Sequence, residues 1–302
     1  MIALTVALAG PMFVDWTAHR AEIERRLGES LGASVRIGGA IDLRLLPSPR
    51  LDLRDLSIAG ERPGEPSVSA ARGQFELGAA PLLRGDLQFV QARLEAPRFE
   101  ATVGADGDVV LPALSRFGDI RARFDALEIV QGEFVLRGPD GAARRRVAGV
   151  DFTGSADGLS GPYKGQGRID GEAPVAFRFS TGPIENGRLR LKLVVDESAV
   201  SPRAEFEGAI VSTPTTAGAL LAYDGAATIG GRLRRSDGAP GETWRVSGPL
   251  KADAAEIVLD PLEAKIGEER AMTMTGSARL PNQPDAALTL ALTAKQIDLD
   301  RV

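Results

Sequence analysis

The chain has 302 residues, of which 43 % are hydrophobic, and this is enough to bury a core. Its 36 Lys and Arg residues against 41 Asp and Glu residues give a formal charge of −5, so the basic footprint of a nucleic-acid-binding protein is missing and we expect no nucleic-acid partner. The absence of cysteine excludes disulfides, thiolate metal sites and cysteine nucleophiles.

The chain begins with an uncharged apolar segment, residues 1–14, with the sequence MIALTVALAGPMFV. This segment is shorter than the roughly 20 residues that cross a bilayer as a helix, and no Lys or Arg precedes it as in a signal peptide. We interpret it as the C-terminal part of a truncated membrane anchor, with a small buried or frayed segment as the alternative. Gly and Pro are spread evenly after it, so we predict a single β-rich domain over residues 15–302.

An amphipathic helix is predicted from Trp16 to Leu31, with Asp15 as its N-cap and Ile23 and Leu27 on one apolar stripe. Because Trp side chains favour the membrane–water boundary, we expect Trp16 at the membrane interface. A helix that simply packs on the protein core is the competing interpretation.

Two strands follow, at residues 34–46 and 49–59, with a hinge at Pro47 and Pro49. Apolar and charged residues broadly alternate along both, the period of two that is typical of a sheet with one apolar and one charged face. Well over a dozen strands of this kind continue to the end of the chain.

One further short helix is predicted over residues 213–223, with a Thr cap and Pro214 in its first turn. Two helices cannot cover so much apolar sheet. The fold class is therefore mostly β, and the sheet must either cover itself or leave a long apolar face for another apolar partner.

The residues that could carry catalysis are few. His19 is the single histidine and has no cysteine to complete a zinc site. Asp106 and Asp108 read as a hairpin turn, and Asp298 and Asp300 as exposed strand positions. We expect no enzymatic activity, no metal site and no cofactor.

Several segments, taken in order and spacing across essentially the whole chain, resemble proteins of the AsmA family. They are Phe13-Val14-Asp15-Trp16, Val35-Arg36-Ile37-Gly38-Gly39, Leu46-Pro47-Ser48-Pro49, Leu51-Asp52-Leu53-Arg54-Asp55-Leu56, Ala80-Pro81-Leu82-Leu83-Arg84-Gly85, Leu94 to Glu100, Asp106-Gly107 and Ile297-Asp298-Leu299-Asp300.

This resemblance implies a Gram-negative protein that is anchored in the inner membrane by one N-terminal transmembrane helix, with its bulk in the periplasm. It implies a long, curled antiparallel β-sheet with an apolar groove, related to the chorein-type bridge-like lipid transfer proteins. It also implies a role in outer-membrane biogenesis through phospholipid transport. Family members usually run longer, so we expect this chain to be the N-terminal portion of a longer protein.

A lipid groove would use the apolar positions of the first strands, since acyl chains supply the missing apolar partner. The expected groove-facing residues are Ile37, Ile41, Leu43, Leu45, Leu51, Leu53, Phe75, Leu77, Leu87 and Phe89. For each of them the alternative is a core position in a self-packed sheet.

The expected partners are phospholipid, the inner membrane and an unidentified outer-membrane or envelope protein. The alternative function is a periplasmic β-rich scaffold that binds envelope proteins and holds no lipid.

Overall fold

The computed structural model describes residues 15–31, 33–45, 48–59, 67–80, 89–104, 106–110, 124–156, 161–199, 201–215, 219–234, 240–267, 271–281 and 286–294. Strands dominate these residues, so the prediction of a mostly β chain is confirmed. The chain divides into two compact units, Met1–Asp170 (unit 1) and Gly171–Val302 (unit 2). The composition of the sequence shows no break at this boundary.

The described residues of unit 1 form the N-terminal helix and ten strands. A 3-10 turn at Trp16–His19 leads into α1 (Arg20–Leu31). The strands are β1 (Ser34–Ile37), β2 (Ile41–Arg44), β3 (Arg50–Ala59), β4 (Ser67–Leu77), β5 (Phe89–Glu95), β6 (Arg98–Val103), β7 (Val109–Val110), β8 (Phe124–Arg137), β9 (Ala143–Ala156) and β10 (Tyr163–Ile169).

Unit 2 contributes eight strands to the described residues. They are β11 (Val175–Glu185), β12 (Arg188–Val195), β13 (Arg203–Pro214), β14 (Ala219–Arg234), β15 (Pro240–Ala252), β16 (Glu256–Ile266), β17 (Met272–Pro281) and β18 (Thr289–Ala294).

The predicted N-terminal helix is confirmed. The backbone N–H of Thr17 donates to Asp15 Oδ1 at 3.0 Å, so Asp15 is the N-cap. The apolar stripe of the helix, which includes Ile23 and Leu27, packs against a buried cluster on β1, β2 and β3. The cluster consists of Val35, Ile37, Ile41, Leu53 and Leu56.

The sheet of unit 1 is mixed, which corrects the prediction of an antiparallel sheet. Most neighbours are antiparallel, but β8 runs parallel to both β5 and β6. Parallel neighbours need a crossover connection of a dozen or more residues. The chain between Val103 and Phe124 is long enough to provide one.

A line of bulges crosses the sheet of unit 1 and bends its strands. Backbone φ is positive at Asp55 in β3 (53°), at Ala96 between β5 and β6 (46°), at Gln131 in β8 (54°) and at Gly149 in β9 (67°). Such bulges leave a residue unpaired and increase the local twist. The predicted strand over residues 34–46 is divided into β1 and β2 where this line meets Gly38, whose N–H donates to the carbonyl oxygen of Asp55 at 2.9 Å.

Unit 2 is a meander from β11 to β18, in which each strand is antiparallel to the next. The helix predicted over residues 213–223 is wrong. These residues end β13 and begin β14, and they pair across a hairpin with Ser212 opposite Leu221 and Ile210 opposite Tyr223. Pairing of β13 with β14 across this hairpin satisfies backbone groups of the segment, and this overrides a weak local helix propensity.

The open form of the predicted groove is also wrong, because the strand pairings of the sheet close into a circuit. Closure pairs backbone groups that an open edge would leave unsatisfied. No helix within the described ranges is long and apolar enough to cross a bilayer. The predicted anchor, residues 1–14, lies outside those ranges.

Candidate apolar binding surface

The apolar residues of unit 1 lie in register on one face of its sheet. Residues directly opposite each other on paired strands share a face, so a register that joins apolar residues builds a continuous row. One row runs from β2 to β8 through Leu43, Leu51, Phe75, Ala92 and Leu127. The neighbouring row consists of Ile41, Leu53, Gly73, Leu94 and Ile129. We call these two rows the unit 1 apolar face.

Three of the predicted groove residues lie in the buried cluster beneath α1. Ile37, Ile41 and Leu53 are 1 %, 5 % and 2 % exposed and belong to the cluster beneath α1. Leu51 and Phe75 are half-buried and pack against that cluster. These positions therefore hold the N-terminal helix on the sheet.

The other predicted groove residues surround this core. Leu77 is buried, whereas Leu43 and Leu45 are half-buried. Phe89 is half-buried, and its ring meets the ring of Phe75 edge-on with centroids 5.4 Å apart. Leu87 lies outside the described residues. Contact of these residues with lipid stays a prediction.

Trp16, the predicted interface residue, is half-buried and packs against the same cluster as α1. Its ring lies 6.2 Å from that of His19, which is exposed. A place for Trp16 at a membrane interface stays a prediction.

A cavity of about 360 Å³ in unit 1 is lined by ion pairs and also by Leu51, Phe75 and Ala92 of the unit 1 apolar face. Arg44 pairs with Asp42 at 2.8 Å and Arg50 with Glu76 at 3.4 Å. The remaining pairs at this cavity are Arg72 with Asp52 and Arg93 with Glu128. Every arginine that lines the cavity therefore has a carboxylate partner among the described residues, and the cavity is close to neutral.

Asp52 is the carboxylate of this cavity whose pKa is clearly shifted. Arg72 donates to it from Nε at 2.9 Å and Gln74 donates from Nε2 at 3.2 Å. These hydrogen bonds, that of Arg72 above all, hold the pKa of Asp52 below its ordinary value although burial opposes the shift.

One of the two carboxylate pairs noted in the sequence, Asp106 and Asp108, lies within the described residues. Asp106 lies in the predicted turn between β6 and β7, where the N–H of Gly104 donates to the carbonyl oxygen of Asp108 at 2.7 Å. Asp298 and Asp300 lie outside the described residues. Among the residues that the structure describes, no group of three or more His, Asp and Glu side chains is placed to hold a metal ion.

Unit 2 carries a longer apolar face, which the sequence-based choice of groove residues missed. One row crosses all eight strands from β11 to β18 in register. It consists of Phe177, Val195, Ala204, Ile229, Val246, Ala264, Met274 and Ala294. A parallel row consists of Leu191, Gly208, Gly225, Leu250, Leu259, Ala278 and Leu290. We call these rows the unit 2 apolar face.

The unit 2 apolar face is only half-buried along most of its length. In its first row Ala264 is buried and the other members keep partial exposure. The described residues of unit 2 contain no helix that could cover it. Exposed charged residues such as Arg190, Lys192 and Glu207 alternate with the apolar ones along the strands. The alternation in RLRLKLVV (188–195) was the sequence signal that could have located this face.

Glycines on both apolar faces are covered by aromatic rings from neighbouring positions. A Cβ at Gly73 would lie 2.9 Å from the ring of Phe75, and Phe152 similarly fills the space above Gly154 and Gly165. On unit 2, the hydroxyl of Tyr223 would lie 2.9 Å from a Cβ at Gly208. The rings therefore lie along the sheet and fill the gaps that glycine leaves, as in aromatic rescue of glycine.

Comparison with known proteins agrees with the resemblance seen in the first strands. Residues 1–117 match the sequence profile of the AsmA family. No curated protein and no solved structure gives a significant match to the chain. The match covers less than half of the chain, and within residues 1–117 the chain is similar to the AsmA family.

Proposed function

We propose that this protein is a non-enzymatic envelope protein that is anchored in the inner membrane, with its bulk in the periplasm, and that carries phospholipid in outer-membrane biogenesis. The similarity of residues 1–117 to the AsmA family supports the setting in the cell envelope. The observation that carries the proposal is the unit 2 apolar face, whose half-buried rows have no helical cover among the described residues.

The dimensions of this face suit an acyl chain. Eight strands spaced about 4.8 Å apart make a row about 34 Å long. An extended acyl chain spans half of a bilayer hydrocarbon core that is about 30 Å thick, which is about 15 Å. One row therefore has room for a chain to lie across the strands.

The free energy of removing apolar surface from water also favours a lipid on this face. Apolar surface in water is unfavourable, and each methylene group removed from water contributes about 0.8 kcal/mol. A lipid on the apolar rows buries its own chain and the side chains below it at the same time. On the unit 2 apolar face the ring of Tyr223 already fills the gap above Gly208, so the chain would meet a continuous surface there.

Photo-crosslinking tests this proposal with matched neighbours on opposite faces of one strand. Phe206 packs against the buried cluster of unit 2, whereas the next residue, Glu207, is exposed and pairs with Lys192 at 3.2 Å. On unit 1 the corresponding neighbours are Phe75, which packs against the cluster beneath α1, and Glu76, which is half-buried and pairs with Arg50 at 3.4 Å. A photoreactive amino acid replaces each of the four residues in turn in the full chain, expressed in a Gram-negative host.

We expect phospholipid adducts from positions 206 and 75 and few from positions 207 and 76, measured by mass spectrometry after irradiation. Equal adducts from both faces, or none from either, would contradict a lipid-carrying face. Adducts with envelope proteins in place of phospholipid would support the periplasmic scaffold instead.

A further inference from the structure

The outer half of the β8–β9 hairpin, residues 134–147, combines exposed apolar residues with unneutralised basic ones; we call it the distal hairpin. Its turn is well defined, since the N–H of Gly138 donates to the carbonyl oxygen of Ala142 at 2.8 Å and Asp140 Oδ1 accepts from the N–H of Ala142 at 3.1 Å. Residues 139–148 are all exposed.

An aromatic and an aliphatic side chain are exposed together on one face of the distal hairpin. Phe134 on β8 lies opposite Val147 on β9, and they are 42 % and 41 % exposed. The ring of Phe134 stacks on Phe99 of the neighbouring strand, with centroids 4.9 Å apart and planes 12° from parallel. The apolar surface is therefore held in place by packing on the sheet.

The charge of the same segment is strongly positive in a chain that is acidic overall. Residues 137–147 contain four arginines and one aspartate, against a net charge of −5 for the whole chain. Arg137 pairs with Glu100 at 2.7 Å and Arg146 with Glu133 at 2.5 Å. These two charges are neutralised within the protein.

The other two arginines, Arg144 and Arg145, have no carboxylate partner among the described residues. Both are exposed, and the one hydrogen bond between them runs from Arg145 Nη1 to the carbonyl oxygen of Arg144 at 3.2 Å. Arg145 lies opposite Leu136 and so shares the face of Phe134, whereas Arg144 lies in a bulge of the pairing. The Arg145 guanidinium therefore lies on the face of the exposed apolar surface, and that of Arg144 lies over the adjacent turn at Gly138.

We propose that the distal hairpin binds the surface of an anionic phospholipid bilayer. Aromatic and aliphatic side chains enter the boundary between headgroups and acyl chains, while guanidinium groups bind phosphate oxygens in pairs of hydrogen bonds. The exposed Phe134 and Val147 favour this occupant over an acidic protein, which would satisfy the arginines but leave the apolar pair in water. This contact is separate from the carriage of lipid on the apolar faces.

Site-specific fluorescence tests the proposal, because the chain contains no cysteine. Ala142→Cys in the turn of the distal hairpin carries an environment-sensitive dye in the full chain. The matched control is Ala255→Cys in the exposed turn between β15 and β16, which is flanked by Asp253 and Glu256. Both proteins share residues 1–14, so any membrane association through that segment is common to them.

With vesicles of phosphatidylcholine and phosphatidylglycerol, we expect a blue shift and protection from aqueous quenchers at position 142 but not at position 255. Vesicles of phosphatidylcholine alone should give a much smaller change. No change at position 142, or equal changes at both positions or with both vesicles, would overturn the proposal. Insensitivity to vesicles combined with a dye response to a polyglutamate peptide would assign the hairpin to an acidic protein partner.

Two variants separate the contributions of charge and apolar surface. The double variant Arg144→Gln/Arg145→Gln should need about 30-fold more anionic vesicle for the same dye response. This factor corresponds to the binding free energy that two basic side chains contribute at an anionic surface. Phe134→Ser should weaken the response on its own, with circular dichroism to verify the fold. An unchanged titration in both would contradict the proposal. Lipid crosslinking at Phe206 should be unaffected by either variant, which distinguishes this contact from the proposed function.

Discussion

Gly208→Ala tests whether the apolar face of unit 2 depends on its glycines. Gly208 on β13 lies opposite Gly225 on β14, in the row that leads to Leu250. A Cβ at position 208 would lie 2.5 Å from the α-carbon of Gly225, 2.5 Å from the carbonyl oxygen of Asp224 and 2.9 Å from the hydroxyl of Tyr223. Carbon atoms in favourable contact are about 3.5–4.0 Å apart, so the two strands would have to separate by about 1 Å.

The expected cost is that of overpacking a well-packed site, about 1–3 kcal/mol. A loss near 2 kcal/mol lowers the Tm of a unit of this size by about 4–8 °C. Displacement of the Tyr223 ring would also break the hydrogen bond from its hydroxyl to the carbonyl oxygen of Ala226, which is 3.2 Å long. Thermal unfolding followed by circular dichroism and calorimetry measures the change.

Gly171→Ala is the matched control, because a Cβ at that position meets nothing within 4 Å. It should leave the Tm unchanged or raise it slightly, since alanine restricts the unfolded chain more than glycine does. A Tm for Gly208→Ala equal to that of the control would refute the reasoning. The double variant Gly208→Ala/Tyr223→Leu separates contact with the Tyr223 ring from contact with the backbone of β14. If Gly208→Ala lowers the Tm less in the Tyr223→Leu background, the strain comes from the ring. If it lowers the Tm equally in both backgrounds, the strain comes from the backbone.

Three further predictions concern unit 1. Leu53→Ala should lower the free energy of unfolding by about 3 kcal/mol in a denaturant titration, because Leu53 is 2 % exposed in the cluster beneath α1. Asp15→Ala should cost about 1 kcal/mol by loss of the N-cap, and hydrogen exchange should increase in the first turns of the helix while the strands keep their protection. Arg72 holds the pKa of Asp52 below its ordinary 3.8. The contribution of this carboxylate to the free energy of unfolding is therefore complete at a pH above its unfolded-state pKa. It is lost as the pH falls through its folded-state pKa. Asp52→Asn should therefore flatten the acid end of the stability profile, and a profile identical to wild type would contradict the role of this pair.

The first strands show what the alternation of apolar and charged residues, with its period of two, could predict. Alternation over residues 34–59 correctly indicated strands with one apolar face, and Ile37, Ile41 and Leu53 do share that face. The element that packs against this apolar face was not predictable from the alternation alone. From its sequence the preceding helix could lie at the membrane boundary or on the core, and in the structure its residues Ile23 and Leu27 cover these strands.

The errors arise where pairing between distant residues decides the structure. Residues 213–223 carry a Thr cap and Pro214, which is locally a helix signal, but this segment joins β13 to β14, and β13 pairs with β14 along its whole length from Arg203 to Pro214. The parallel pairing of β8 with β5 and β6 has no local signature, because it depends on a return of the chain after Val103. Local propensity is a weak prior in such segments, and tertiary context overrides it.

The low aromatic content and the high glycine content, 5 % of residues and 35 glycines, have one physical explanation in this fold. A ring that lies over a glycine, as Tyr223 does over Gly208, fills a gap without rising above the sheet. A self-packed sandwich needs the opposite, because two sheets about 10 Å apart are joined by side chains that project and interdigitate. Flat rings and small, half-buried residues such as Ala204 in unit 2 therefore support the proposed thin, flexible partner, an acyl chain, over a second protein layer.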